Sequence, residues 1–137
     1  MQDYPEKDAK AAIQLQQIFY RMTKYFIENF NTANFLTEAL YHSKAASYFT
    51  NYRVQHFIFV RTLIEQAQRE GDICSDMNSY EIYTTLQSIL IQPIIIKNNI
   101  LQQHKNEPLM DKLKLIDVSS ESSLQKRLRV AFNGLRP

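Results

Sequence analysis

Three histidines, one cysteine and sixteen Phe and Tyr residues carry most of the chemical repertoire of this 137-residue chain. Their spacing decides what chemistry is open to them. His56 falls in the middle of an apolar helical stripe made by Phe49, Tyr52, Val60, Leu63, Ile64 and Ala67, with Arg53 about one turn earlier near the same face. An imidazole and a guanidinium so placed can orient the polar group of a ligand held in an otherwise apolar cavity. The same two residues are also accounted for by a hydrogen-bonded core or interface histidine and an arginine whose stem runs out to solvent. His42 and His104 lack a companion at metal-ligand spacing such as i, i+4, so the sequence predicts no metal site. Cys74 has no partner for an intramolecular disulfide, no resolving cysteine and no evident cationic helix environment that would make it reactive. The chain contains no G-x-S-x-G elbow, Walker-type loop, paired-glycine dinucleotide fingerprint or H-E-x-x-H pair. It therefore gives no warrant for catalysis and implies no cofactor.

A second candidate set lies near the N-terminus. In "DAKAAIQLQQIFYRMTKYFIENF", Ala11, Leu15, Ile18, Met22 and Tyr25 recur at steps of four and three, with Phe19, Phe26 and Phe30 beside them. Large aromatic side chains offer area with few rotors. The stripe can line a pocket against later helices or simply fill a core. Ile13, Tyr20 and Ile27 recur seven apart on the opposite side, which a helix lying on the surface would not need. The first helix is thus expected to be central.

The elements that position these residues are all helical. Hydrophobic residues at 45% and charged residues at 22% are ordinary for a globular protein, whereas two glycines and four prolines leave few breakers for a turn-rich sheet protein. The length suits one domain, residues 1–137. A formal charge of +2 supplies no strong electrostatic reason for direct contact with nucleic acid or anionic membrane. No signal peptide or uninterrupted bilayer-length apolar span is present, and a single cysteine suits a reducing cytoplasm.

After the first helix, "NTANFLTEALYHS" reads as a shorter one beginning near Asn31 to Asn34 and burying Phe35, Leu36, Ala39 and Leu40. A third runs from about Ala46 to Glu70 and stops at Gly71, a residue that tolerates the left-handed conformation. Asn78, with Glu81 three residues on, predicts a capping box that starts the fourth. That helix, about Ser79 to Gln103, carries Ile82, Leu86, Ile89, Leu90 and Pro93 on one side, and its middle "ILIQPIII" is apolar nearly all round. Pro93 should bend it near Ile89 to Gln92. Pro108 with Leu109, Leu113 and Ile116 predicts a short amphipathic helix. The last helix opens at Ser119 or Ser120 and presents the narrow stripe Leu124, Leu128, Ala131, Phe132 and Leu135.

"FVRTLIEQAQREGDICSDMNSYEIYTTLQSILIQPI", together with the closing "LQKRLRVAFNGLRP", resembles the C-terminal half of tetracycline-repressor-like (TetR/AcrR family) bacterial transcriptional regulators. A helix ending in a charged residue and glycine, a short acidic turn, a long apolar helix and a "GL(R)P"-like tail recur in that family. Arg69 to Asp76 and Asn133 to Pro137 carry the match. The resemblance covers roughly the whole chain and implies an antiparallel bundle of about five to six helices that senses a small molecule and dimerises through a four-helix bundle. It departs in one respect: the family's N-terminal DNA-binding unit is missing, since nothing before Asp8 could form it. DNA would be reached only through that unit, whether removed or naturally absent.

The expected ligand site is Ile18, Met22, Tyr25, Phe26, Tyr52, Arg53, His56, Val60, Leu86 and Leu90, taking an amphipathic or aromatic effector. The expected homodimer interface is Ile91, Ile95, Leu124, Leu128, Ala131, Phe132 and Leu135, because one chain cannot readily cover both the fourth and the last helix. A ligand-free structural dimerisation module is the alternative, and an enzyme would need an acid–base constellation that the pattern lacks.

Overall fold

The computed structural model describes residues 9–28, 43–104 and 106–137, with side chains for all of these except 43–53. Among the described residues there are six helices and no strand: α1 (Ala11–Glu28), α2 (Ser43–Arg69), α3 (Ser79–Leu90), α4 (Gln92–Gln103), α5 (Leu109–Lys114) and α6 (Glu121–Gly134). The all-α class read from composition is the observed one. The short helix expected to begin near Asn31 to Asn34 lies outside the described residues.

α1 is central, packing against α2, α3 and α6. Its buried face is Ala11, Leu15, Ile18, Phe19 and Thr23. These apolar side chains join Val60, Ile64 and Ala67 of α2, Ile82, Tyr83, Leu86 and Leu90 of α3, and Leu124, Leu128, Ala131 and Phe132 of α6 in one core. Each large aliphatic or aromatic side chain so buried stabilises the fold by roughly 1.5–3 kcal/mol. Thr23 is the polar member of that face, fully buried, and its hydroxyl donates to the Phe19 carbonyl at 2.7 Å, so no donor is stranded. On the opposite side of α1, Tyr20 and Ile27 are half-buried against the core, but Ile13 is 45% exposed.

The corner between α2 and α3 is built as its residues dictate. Gly71 has φ of 80°, the left-handed region. Its amide donates to the Gln68 carbonyl (3.1 Å) and that of Asp72 to Ala67 (3.0 Å), the paired bonds of a Schellman stop. The Gln68 side-chain amide donates to the carbonyls of Cys74 (3.0 Å) and Met77 (2.8 Å), holding the turn. Asn78 and Glu81 then form the reciprocal capping box, at 2.9 and 3.1 Å. The corner also fastens two distant parts of the chain. Glu70 Oε1 accepts from the Ala11 amide at the start of α1 (3.2 Å), and the Cys74 amide donates to the Leu135 carbonyl just past α6 (2.7 Å).

Where one bent helix was expected from Ser79 to Gln103, there are two, broken at Ile91. Pro93 is the cause: it has no amide to donate, and it sits in the first turn of α4, where none is needed. The Leu90 carbonyl at the break accepts instead from Nη2 of Arg127 on α6 (3.2 Å). α5 also differs from expectation. Its Leu109, Leu113, Ile116 stripe faces largely outward, with Leu109 66% exposed, and the residue it buries is Met110.

The stripe on α6 is where expected, and it is covered within the single chain. Leu124, Leu128, Ala131, Phe132 and Leu135, and with them Ile91 and Ile95, are each 9% exposed or less within the single chain. The premise that one chain cannot cover both helices is corrected: α6 lays its stripe on α3 and α1 of its own bundle. The apolar side chains left exposed on the C-terminal half are others, among them Ile96, Ile100, Leu109, Leu115 and Ile116 of α4 and the α5 region.

Candidate functional site

The Schellman stop and capping box turn α3 back along α2, and this brings two residues 27 apart in sequence together. His56 Nδ1 on α2 lies 2.6 Å from the Tyr83 hydroxyl on α3. One turn along α3, Gln87 Nε2 donates to the same hydroxyl at 3.0 Å. A phenolic oxygen can hold both bonds at once, so Gln87, Tyr83 and His56 form a short polar chain crossing from α3 to α2.

Aromatic rings surround it. Phe19 of α1 meets His56 and Tyr83 edge-on, with centroids 6.4 and 6.0 Å apart. Phe57 packs edge-on against both Tyr83 (5.4 Å) and Tyr80 (5.6 Å). Offset and edge-to-face pairs of this kind add to the burial of the rings themselves. His56 is half-buried here, and loss of hydration pushes its pKa below the ordinary histidine value. The imidazole is neutral at pH 7 and able both to donate and to accept a hydrogen bond.

The residues expected to bind a ligand fall into distinct groups. Ile18, Val60, Leu86 and Leu90 are within the core, each no more than 3% exposed. Met22 and Phe26 are half-buried against it on the same face of α1 as Phe19, three and seven residues further on. Tyr25 stands apart at 55% exposure, its ring edge-on to Phe26 at 6.4 Å. The side chains of Tyr52 and Arg53 lie outside the described residues. Tyr83 and Gln87, which complete the polar chain, were missed by the sequence reading. Their i, i+4 spacing on the flank of the Ile82 and Leu86 stripe was the available signal.

The remaining chemically capable side chains do not join this cluster. Burial, reinforced by a hydrogen bond with Asp76, pushes the Cys74 thiol up, away from the thiolate form that reacts. His104 Nδ1 pairs with Glu107 Oε1 at 2.9 Å on the surface, and His42 lies outside the described residues. Among the described residues no group of three or more His, Cys, Asp or Glu is arranged to hold a metal ion, and no helix is long and apolar enough to cross a membrane. Compared with known protein families, curated proteins and solved structures, the chain finds no match.

Proposed function

We propose that this chain is the effector-sensing and homodimerising domain of a tetracycline-repressor-like regulator, and that a small amphipathic or aromatic molecule binds where α1, α2 and α3 meet. The observation that carries the reading is the chain Gln87, Tyr83, His56, set among Phe19 and Phe57 at the edge of an apolar core. A few convergent polar groups on apolar walls are what a small-molecule site requires. The bond from the Cys74 amide to the Leu135 carbonyl supports it further, because it joins the two segments, Arg69 to Asp76 and Asn133 to Pro137, on which the resemblance rests. A second copy would use the exposed apolar side chains of α4 and the α5 region, and a DNA-binding unit outside these residues would supply the output. Ligand shifts such a dimer only to the extent that it binds two arrangements unequally.

The close burial of Ile18, Val60, Leu86 and Leu90 favours a second reading, a structural helical module whose core is filled and which takes no ligand. A thermal-shift panel separates them. The sensor reading expects aromatic amphiphiles to raise the melting temperature and sugars not to. It expects His56→Phe to weaken ligands with a hydrogen-bonding group while sparing purely apolar ones. A folded protein that no amphiphile stabilises would leave the structural module.

A further inference from the structure

Ile13 has no role in the reading above, although it belongs to the recurrence that made α1 look buried on two sides. It is 45% exposed and lines a cleft of about 210 Å³ between the start of α1, the α2–α3 corner and the end of α6. Lys10, Asp72, Asn133 and Arg136 supply the polar walls, while Ile13 and Phe132 are apolar. The cleft is smaller than the range of about 300–1,000 Å³ typical of sites for drug-sized ligands, so it suits a small metabolite.

The charges in the cleft are of both signs and are incompletely matched. Asp72 Oδ2 is closed off from solvent and accepts no hydrogen bond among the described residues; the Lys10 ammonium lies 4.0 Å away, at the limit of an ion pair. Such a pair, with a largely exposed lysine, holds the carboxylate weakly. Because Oδ2 is closed off, a ligand in the cleft meets this carboxylate through Oδ1, on a side chain that is 34% exposed. Arg136 also lines the cleft, and a guanidinium fork can match a carboxylate in two-point geometry.

We propose that this cleft binds a free α-amino acid with an apolar side chain. The ligand's ammonium donates to Asp72, its carboxylate accepts from Arg136 with Lys10 alongside, and its side chain covers Ile13 against Phe132. One carboxylate and two cations in a small cleft that also presents Ile13 and Phe132 fit a zwitterion better than a simple anion, which Asp72 repels, or a simple amine, which Lys10 and Arg136 repel. The site is separate from the polar chain of His56 and Tyr83, so either can stand without the other.

Titration of the methyl- and aromatic-labelled 137-residue chain followed by NMR tests this, with L-leucine and L-phenylalanine as probes. Isocaproate and isoamylamine serve as the forms of leucine that lack the ammonium or the carboxylate. The amino acids should shift Ile13 and Phe132 signals, and each truncated analogue should bind about tenfold or more weakly, since each lacks a charge-assisted hydrogen bond. Asp72→Asn and Arg136→Gln, confirmed as folded by their melting curves, should each weaken L-leucine by a similar factor. Analogues that bind as well as leucine, variants that bind it as well as the parent, shifts centred elsewhere, or no shifts at millimolar amino acid would each overturn the proposal.

Discussion

The chain's two glycines should respond to the same substitution with opposite signs. Gly71 holds φ of 80°, and an added Cβ would meet nothing within 4 Å, so Gly71→Ala isolates the backbone cost from any steric clash. Forcing an L-residue into the left-handed region costs roughly 1–2 kcal/mol. Alanine also narrows the unfolded ensemble, which returns about 0.4–1 kcal/mol to the folded state. The net expectation is a loss of about 1 kcal/mol, or roughly 3–5 °C in melting temperature for a domain of this size. Gly134 is the last residue of α6, lies outside the positive-φ region, and likewise has nothing within 4 Å of a built Cβ. Gly134→Ala therefore keeps the entropic gain and adds helix propensity, for a rise of a few tenths to about 1 kcal/mol. Urea titration of the two variants and the parent, with unchanged m-values, reads both shifts on one scale. A Gly71→Ala protein as stable as the parent would refute the left-handed stop, and with it the register in which α2 delivers His56 to Tyr83.

The depressed His56 pKa gives a pH dependence of definite sign. Below the ordinary histidine value of 6.5 the unfolded chain takes up a proton that folded His56 resists, so stability falls as pH drops through that value and levels off below the folded pKa. Urea midpoints measured across this range should slope less in His56→Phe than in the parent, and equal slopes would mean that His56 is not the group responsible. Leu128→Glu places a carboxylate on the α6 stripe inside the chain's own core, and uncompensated burial of that charge should abolish cooperative unfolding by circular dichroism. A stable, folded monomer made by Leu128→Glu from a dimeric parent would return the stripe to an interface between copies.

What could be read from the sequence was mostly local chemistry. Gly71, Asn78 and Glu81 act on backbone groups within a few residues, and the corner they predict is the corner observed. Periodicity likewise located the faces of α1 and α6, because a stripe at helical spacing reports which side is covered. It does not report what covers it. The α6 stripe has the same pattern whether its partner is α3 of the same chain or a helix of another, and that ambiguity is why it read as surface one chain could not cover. α5 failed differently: in six residues a stripe is too short to outweigh tertiary context, so Met110 points in and Leu109 out. The polar chain of the candidate site could not be read as a unit, since His56 and Tyr83 meet only after the corner has reversed the chain.

Moving the α6 stripe into the core also changes how a sensor of this build would communicate. The groups facing the candidate site, Tyr83 and Gln87, are on α3, whereas exposed Ile96 and Ile100 are on α4 beyond the break at Ile91. A continuous helix would carry a displacement directly from one to the other. Here the connection passes a residue where the helix is interrupted, and the Leu90 carbonyl is held by Arg127 across to α6. Lys97 in turn donates to the carbonyls of Lys114 and Ile116, fastening the end of α5 onto α4. A shift of α3 caused by ligand would therefore pull on α6 through Arg127 before it reached the exposed apolar surface. Under the proposed function α6 is thus a brace against which α3 and α4 would move.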